Sequence, residues 1–198
     1  MTITDVQPPK PPKLHMVWPR TRRVAPAIPP VAAGYTMRTY REGDKDNYVR
    51  LMQRSGFETW DESKALRVLQ TMFPQGLFFI VHNASGALVA TTAAQANPRE
   101  HHPDGAELGW VGTDPDHRGK GLGYLTCATV TRMMHESRYP TLYLLTDVPR
   151  LPAIHIYLKL GWIPYLDLPD SEAAWRVVSA NLGIVYESIE TTLTPTGE

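Results

Sequence analysis

Thr113-Asp114-Pro115-Asp116-His117-Arg118-Gly119-Lys120-Gly121-Leu122-Gly123 joins a segment patterned as a strand, Ala106–Thr113, to one patterned as a helix, Gly121 to about Glu136. Glycines at 119, 121 and 123 carry no Cβ, so their backbone N–H groups can approach an anion closely and converge on it. The helix that begins there adds unpaired N–H groups and the positive end of its dipole, and Arg118 and Lys120 add charge at the rim. Such a cradle suits a pyrophosphate. The P-loop pattern is excluded, because it needs Ser or Thr after Gly-Lys where this chain has Gly121. The dinucleotide fingerprint is excluded as well, because it needs GxGxxG and the spacing here is GxGxG. A tight strand-to-helix turn without a ligand accounts for three glycines too, so this stretch alone leaves both readings open.

Towards the N-terminus, Tyr35–Arg41 reads as a short strand, and Asp44 is placed to cap a helix running to about Arg54. Asp61 or Ser63 opens a second helix to about Met72, ended by Pro74 and Gly76. Leu77–Val81 is a buried-type strand, and the turn Asn83-Ala84-Ser85-Gly86 folds it into a hairpin with Ala87–Ala96. Towards the C-terminus come a strand at Thr141–Thr146, a helix at Leu151–Leu160 stopped by Gly161, and a strand at Trp162–Leu168. A helix at Ser171–Asn181 and a last strand at Ile184–Leu193 complete the pattern. Hairpins early and crossover helices later predict an α/β mixture, a twisted mixed sheet with helices on both faces.

The 198 residues fit one domain with decorations, and a hydrophobic content of 42% supplies a core. A formal net charge of zero argues against a nucleic-acid-binding field over the whole protein and against an acidic disordered chain. The single cysteine excludes an intramolecular disulfide and any CxxC site. No apolar run approaches the ~20 residues of a membrane span, and residues 1–20 lack the apolar region of a signal peptide. A soluble cytoplasmic protein is expected, with neither nucleic acid nor membrane as partner.

The zero charge is unevenly spread. Pro8, Pro9, Pro11, Pro12, Pro19, Pro26, Pro29 and Pro30 crowd the first 33 residues, together with Lys10, Lys13, Arg20, Arg22 and Arg23 against the one acid Asp5. Residues 34–198 hold 15 basic and 19 acidic residues. Proline fixes φ and lacks a donor, so residues 8–30 are expected in neither a helix nor a central strand. The division predicted is a proline-rich basic extension, residues 1–33, on an acidic domain, residues 34–198. Leu14, Val17 and Trp18 would drape the extension over the domain, and Pro8-Pro9-Lys10-Pro11-Pro12 also reads as a weak PxxP ligand.

Arg118-Gly119-Lys120-Gly121-Leu122-Gly123, with Pro115 three residues before the Arg, resembles the acyl-CoA signature of the GCN5-related N-acetyltransferase (GNAT) superfamily, although Thr113 stands where Val is usual. Ala153-Ile154-His155-Ile156-Tyr157-Leu158-Lys159-Leu160-Gly161-Trp162 is similar to a second block of that family. The resemblance runs from about Tyr35 to Ile189. It implies a mostly antiparallel twisted sheet whose fourth strand, 106–113, splays from the fifth, 141–146, at a bulge, with acetyl-CoA or a related acyl-CoA inserted between them. By the same resemblance, the backbone of Val111, Gly112 and Thr113 would lie along the pantetheine arm. The amides of Arg118, Gly119, Lys120, Gly121, Leu122 and Gly123 would hold the pyrophosphate. Tyr157 would face the thioester sulfur as general acid, a role open to a phenol, while its helical spacing with Ile154 and Leu158 also reads as core packing. Even spacing puts 107, 109, 111 and 113 on one strand face. Some family members carry a carboxylate base at the position of Glu107; otherwise it is an exposed strand-end glutamate.

The chain departs from the family at Arg150, where Asn usually contacts the CoA arm. Arg150 is assigned to the cofactor site through a phosphate, with a substrate carboxylate or plain solvent as alternatives. Phe57, Trp60 and Tyr40 are expected beside the acceptor. Glu100-His101-His102-Pro103-Asp104 lacks compelling metal geometry and reads as a loop flanking the acceptor, so no metal is expected. Cys127 reads as a buried small hydrophobe. The resemblance thus implies an enzyme transferring an acetyl or related acyl group from acetyl-CoA to a primary amine by direct attack, and a homodimer is compatible with it. The alternatives are a non-catalytic acyl-CoA-binding or sensing module and an interaction module built on the proline-rich segment. The acidic balance of residues 34–198 mildly favours a cationic acceptor, such as an aminoglycoside, a polyamine or a lysine-like amine.

Overall fold

The computed structural model describes residues 13–137 and 139–186. In chain order its elements are β1 (Leu14–Val17), β2 (Tyr35–Thr39), α1 (Lys45–Arg54), α2 (Glu62–Thr71), β3 (Met72–His82), β4 (Leu88–Ala96) and β5 (Gly105–Thr113). After a short 3₁₀ turn, Pro115–His117, follow α3 (Leu122–His135), β6 (Thr141–Thr146), α4 (Leu151–Leu160), β7 (Ile163–Pro164) and α5 (Ser171–Leu182). The strands form one sheet in the order β2-β3-β4-β5-β6-β1-β7. Only β5 and β6 run parallel; the other pairs are antiparallel. The mixed, mostly antiparallel sheet with helices on both faces agrees with the expectation.

Two layers of side chains bury the two faces. Tyr48, Leu51 and Met52 of α1 pack with Trp60, Leu77 and Phe79 on one side. Cys127 and Val130 of α3, Tyr157 and Leu160 of α4, and Trp175 of α5 pack with Leu14, Met16 and Leu108 on the other. Asp61 caps α2 as expected, accepting from the Lys64 amide at 2.9 Å. Asp44 occupies the N-cap of α1 but does not cap it with its side chain. Its carboxylate instead takes both guanidinium nitrogens of Arg38, at 2.6 and 2.8 Å, and so ties the helix start to β2.

The N-terminal segment departs from expectation. β1 lies inside the sheet, antiparallel to β6 on one side (Leu14↔Thr146 through Val17↔Tyr143) and to β7 on the other (Met16↔Pro164). The physical reason is local: Lys13–Trp18 is a proline-free window between Pro12 and Pro19, so every residue in it keeps its backbone donor. Leu14 and Met16 are buried at 2% and 0% exposure, whereas His15 and Val17 point to the opposite face and are half-buried. The chain then runs over α3, where Arg132 Nη2 donates to the Pro26 carbonyl at 2.9 Å, and Trp18 packs edge-on against Trp162. The PxxP stretch lies outside the described residues. The strand expected at Trp162–Leu168 is confined to Ile163–Pro164, at the sheet edge where a proline is tolerated. Of the last strand expected at Ile184–Leu193, residues 184–186 are not extended strand, and the remainder lies outside the described residues.

His15 links β1 to the loop before β5, its Nδ1 lying 3.1 Å from His102 Nε2. Burial lowers its imidazole from 6.5 to about 4, with His102, His101 and Arg99 adding to the effect. As pH falls from 6.5 to about 4 the unfolded chain takes up a proton that the folded chain refuses, so stability declines across that window. His15→Gln is expected to flatten this part of the stability curve in urea unfolding followed against pH. Because burial lowers His102 as well, a residual slope should persist. A slope identical to the parent's would show that His15 does not contribute.

Candidate active site

The site begins where β5 leaves its neighbours. β5 and β6 pair only from Gly105↔Thr141 to Glu107↔Tyr143. Beyond that point β5 bulges: Ala93 of β4 faces Gly109 and Thr91 faces Gly112, so β5 holds one residue more than its partner. Trp110 adopts φ 57°, a left-handed conformation unusual for a bulky side chain, with its ring packed against Trp60 at a centroid distance of 4.3 Å. The extra residue reverses the alternation. Gly109 and Gly112 now share the α1 side with Glu107, and Val111 and Thr113 turn towards α3 and α4. This corrects the expectation that 107, 109, 111 and 113 line one face. It also explains Gly112, where a Cβ would come within 2.9 Å of Ser55 Oγ.

A cavity of about 790 Å³ opens where the strands part. Val111, Gly112, Thr113, the whole run Arg118–Gly123 and Arg150 line it, so every residue assigned to the cofactor borders one space. The three cradle glycines are there for two reasons. Gly119 and Gly121 have φ 75° and 73° with open space where a Cβ would project, so they serve backbone shape and close approach. Gly123 sits inside α3, where a Cβ would lie 3.2 Å from Thr113 Oγ1, so it serves helix-to-strand packing. The entry to the cradle is braced from α1. Arg54 bonds Asp114 through Nε at 2.5 Å and Nη2 at 2.9 Å, and Asp116 at 2.8 Å. The Arg54 guanidinium holds the Asp114 carboxyl below the usual carboxylate range despite its burial. Lys120 Nζ and His117 Nδ1 both meet Tyr35 Oη at 2.9 Å.

A second, smaller cavity of about 140 Å³ adjoins the first, sharing Val111 and Arg150 with it. Glu107 from β5 and Tyr157 from α4 both line it. Glu107 is buried rather than an exposed strand end, at 7% exposure. Its Oε2 accepts from Asn97 and from Arg99 Nη2 at 3.2 Å, and lies 3.2 Å from the Tyr143 hydroxyl, which also donates to the Asn97 carbonyl. Tyr157 is buried too, and burial pushes its phenol well above 10, with Cys127 adding and Arg150 opposing. The group is therefore held protonated. Cys127, in contrast, lies in the core, where burial pushes its thiol up to about 12.

Of the aromatics expected at the acceptor, only Phe57 lines this cavity, with the Arg150 guanidinium 4.0 Å above its ring. Trp60 is a core residue at 2% exposure, and Tyr40 packs against the same cluster. His102 is buried and stacked on Tyr143 at 4.3 Å between ring centroids. Sequence reasoning missed Asn97, Arg99 and Tyr143 around Glu107, as well as Lys13 and Asp147 at the cavity mouth. Tyr143 had a usable signal only in lying on the strand 141–146 expected beside 106–113; its register with Glu107 is set by the parallel pairing of β5 and β6. The others come from loops and carry none.

The splayed strand pair, the glycine cradle at a helix start and the tyrosine on the next helix are the arrangement that the resemblance to the GNAT superfamily implies. Residues 45–162 match the sequence profile of the Acetyltransferase (GNAT) family, and the chain belongs to that family. Among curated relatives it is 30% identical over 157 residues to the mycothiol acetyltransferase of Saccharomonospora viridis, a match covering 73% of this chain and 48% of the relative. It is likewise 30% identical over 175 residues to that of Mycobacterium sp. (strain JLS), covering 80% and 55%. The chain thus spans about half the length of the curated relatives it matches. Among solved structures, a GCN5-related N-acetyltransferase from Sphaerobacter thermophilus superposes with a TM-score of 0.63 at 20% identity, over 79% of this chain and 50% of the other. A tandem GNAT protein of the clavulanic acid biosynthesis pathway gives 0.56 at 23% identity, over 77% and 50%. Both show a shared fold.

Proposed function

We propose that the chain transfers the acetyl group of acetyl-CoA to a primary amine, with Glu107 as general base and Tyr157 as general acid. One observation carries the proposal. A carboxylate from β5 and a phenol from α4 border one small cavity, which shares Val111 and Arg150 with the cavity of the glycine cradle. Two protonic side chains converging there favour an enzyme over a binding-only module.

The residues fit the cofactor. Gly119 and Gly121 leave their Cβ directions open, the α3 N-terminus faces the same space, and the buried Ser55 hydroxyl on its wall has no partner among the described residues. Arg118–Gly123 would hold the pyrophosphate, and Val111–Thr113 would lie along the pantetheine arm. Acetyl-CoA, when bound, supplies an acyl group activated as a thioester. Glu107 takes a proton from the amine so that its lone pair is free, and Arg99, Asn97 and Tyr143 orient the carboxylate for this. Tyr157 keeps its proton at Oη for delivery to the departing sulfur. The walls fix both reactants, which contributes by orientation. The names of the curated relatives add the mycothiol type of acceptor to the amines worth testing.

Thiol release from acetyl-CoA over an amine panel tests the proposal. Glu107→Gln is expected to lower kcat/KM about 10²-fold and to remove the acidic limb of the pH profile. A pH profile identical to the parent's would remove Glu107 from the base role.

A further inference from the structure

The acceptor cavity differs in charge from the domain around it. Lys13, Arg99 and Arg150 line it against Glu107 and Asp147, three cations to two carboxylates. Arg99 is committed to Glu107. At the other end Asp147 is shared, with Lys13 Nζ at 2.6 Å and Arg150 Nε at 3.6 Å, so one positive charge there is left without a carboxylate of its own. Thr146, the last residue of β6, lines the same cavity at 3% exposure, and its hydroxyl has no hydrogen-bond partner among the described residues. A buried hydroxyl without a partner is costly, so its presence beside surplus positive charge calls for an acceptor atom.

We infer that the amine acceptor carries a carboxylate, seated between Lys13, Arg150 and Thr146 while its amine faces Glu107. This inference rests on the acetyltransferase reading and specifies its substrate class. The cavity of about 140 Å³ lies below the ~300–1,000 Å³ of sites for drug-sized ligands, so the part of the acceptor it encloses has the dimensions of a small amino acid. The two ends divide the work. Glu107, paired with Arg99, takes the proton from the amine at one end, and the opposite end supplies the compensating charge for an anion. A polyamine or aminoglycoside would leave that cation and the Thr146 hydroxyl unanswered and would add further positive charge. The local cavity thus reverses the preference that the acidic balance of residues 34–198 suggests.

Matched pairs test the inference: glycine against glycinamide, alanine against alaninamide and serine against serinamide, compared at equal concentrations of free amine with acetyl-CoA present. Thiol release gives kcat/KM, and calorimetry gives binding to the acetyl-CoA-loaded protein. The carboxylate member of each pair is expected to be favoured about tenfold, the scale of one partly exposed charge-assisted contact, and Lys13→Met should reduce that ratio several-fold. Turnover with carboxylate and carboxamide equal, or with the carboxamide preferred, overturns the inference and leaves the acetyltransferase reading standing. Carboxylate-selective binding without turnover supports the inference and sinks the catalytic reading. Absence of selective binding together with absence of turnover overturns it.

Discussion

Tyr157→Phe is expected to lower kcat about 10³-fold while leaving the KM for acetyl-CoA within about twofold. The substitution removes one oxygen from a side chain at 4% exposure and keeps the ring that packs with Ile154 and Leu160, so the fold should be undisturbed. What is lost is the proton that burial keeps on the phenol. Arg99, another donor bordering the cavity, is held by Glu107 and does not replace it. Thiol release in single-turnover and steady-state form measures the effect. A variant as active as the parent would assign Tyr157 to the core alone.

Met16→Ala is expected to destabilise the fold by about 2–5 kcal/mol, the range for emptying a fully buried long side chain. Met16 has 0% exposure and sits on the inward face of β1, among the side chains of the α3–α5 layer. Ile28→Ala makes the comparison informative: that residue belongs to the same N-terminal stretch but is 40% exposed, and it should change stability by less than about 0.5 kcal/mol. Urea unfolding of both variants separates the two descriptions of residues 13–34. An appended tail would tolerate both substitutions alike, whereas a sheet strand followed by a surface strap would respond only at Met16.

Features legible in the sequence were those in which a residue type answers a local demand. Gly119 and Gly121 stand at left-handed positions, Asp61 caps α2, Gly161 ends α4, and each announces itself within a few residues. Glu107 and Tyr157 were singled out through family motifs, and both border the small cavity. The features that escaped depend on what lies across the sheet. The four residues of β1 have no propensity strong enough to announce a central strand; the open edges of β6 and β7 make it one. The bulge at Trp110 packs its ring against Trp60 and Phe57 of the loop between α1 and α2, and it reverses the faces of an otherwise expected strand. Proline counting misled for a related reason. A donor-free residue limits its own position, and the gap between Pro12 and Pro19 was long enough for a strand.

The insertion of β1 between β6 and β7 also governs how the molecule is put together. Lys13 and Asp147 are 134 residues apart in the chain, so the first described strand cannot find its place until nearly all of the rest has been made. Closing so long a loop adds little to the equilibrium cost, which grows only with the logarithm of length, but contacts of such separation slow folding. Until that closure, β6 and β7 expose unpaired edges, and the smaller cavity lacks Lys13. Completion of the sheet and entry of Lys13 into the small cavity are therefore one step, in which two distant stretches of the chain meet.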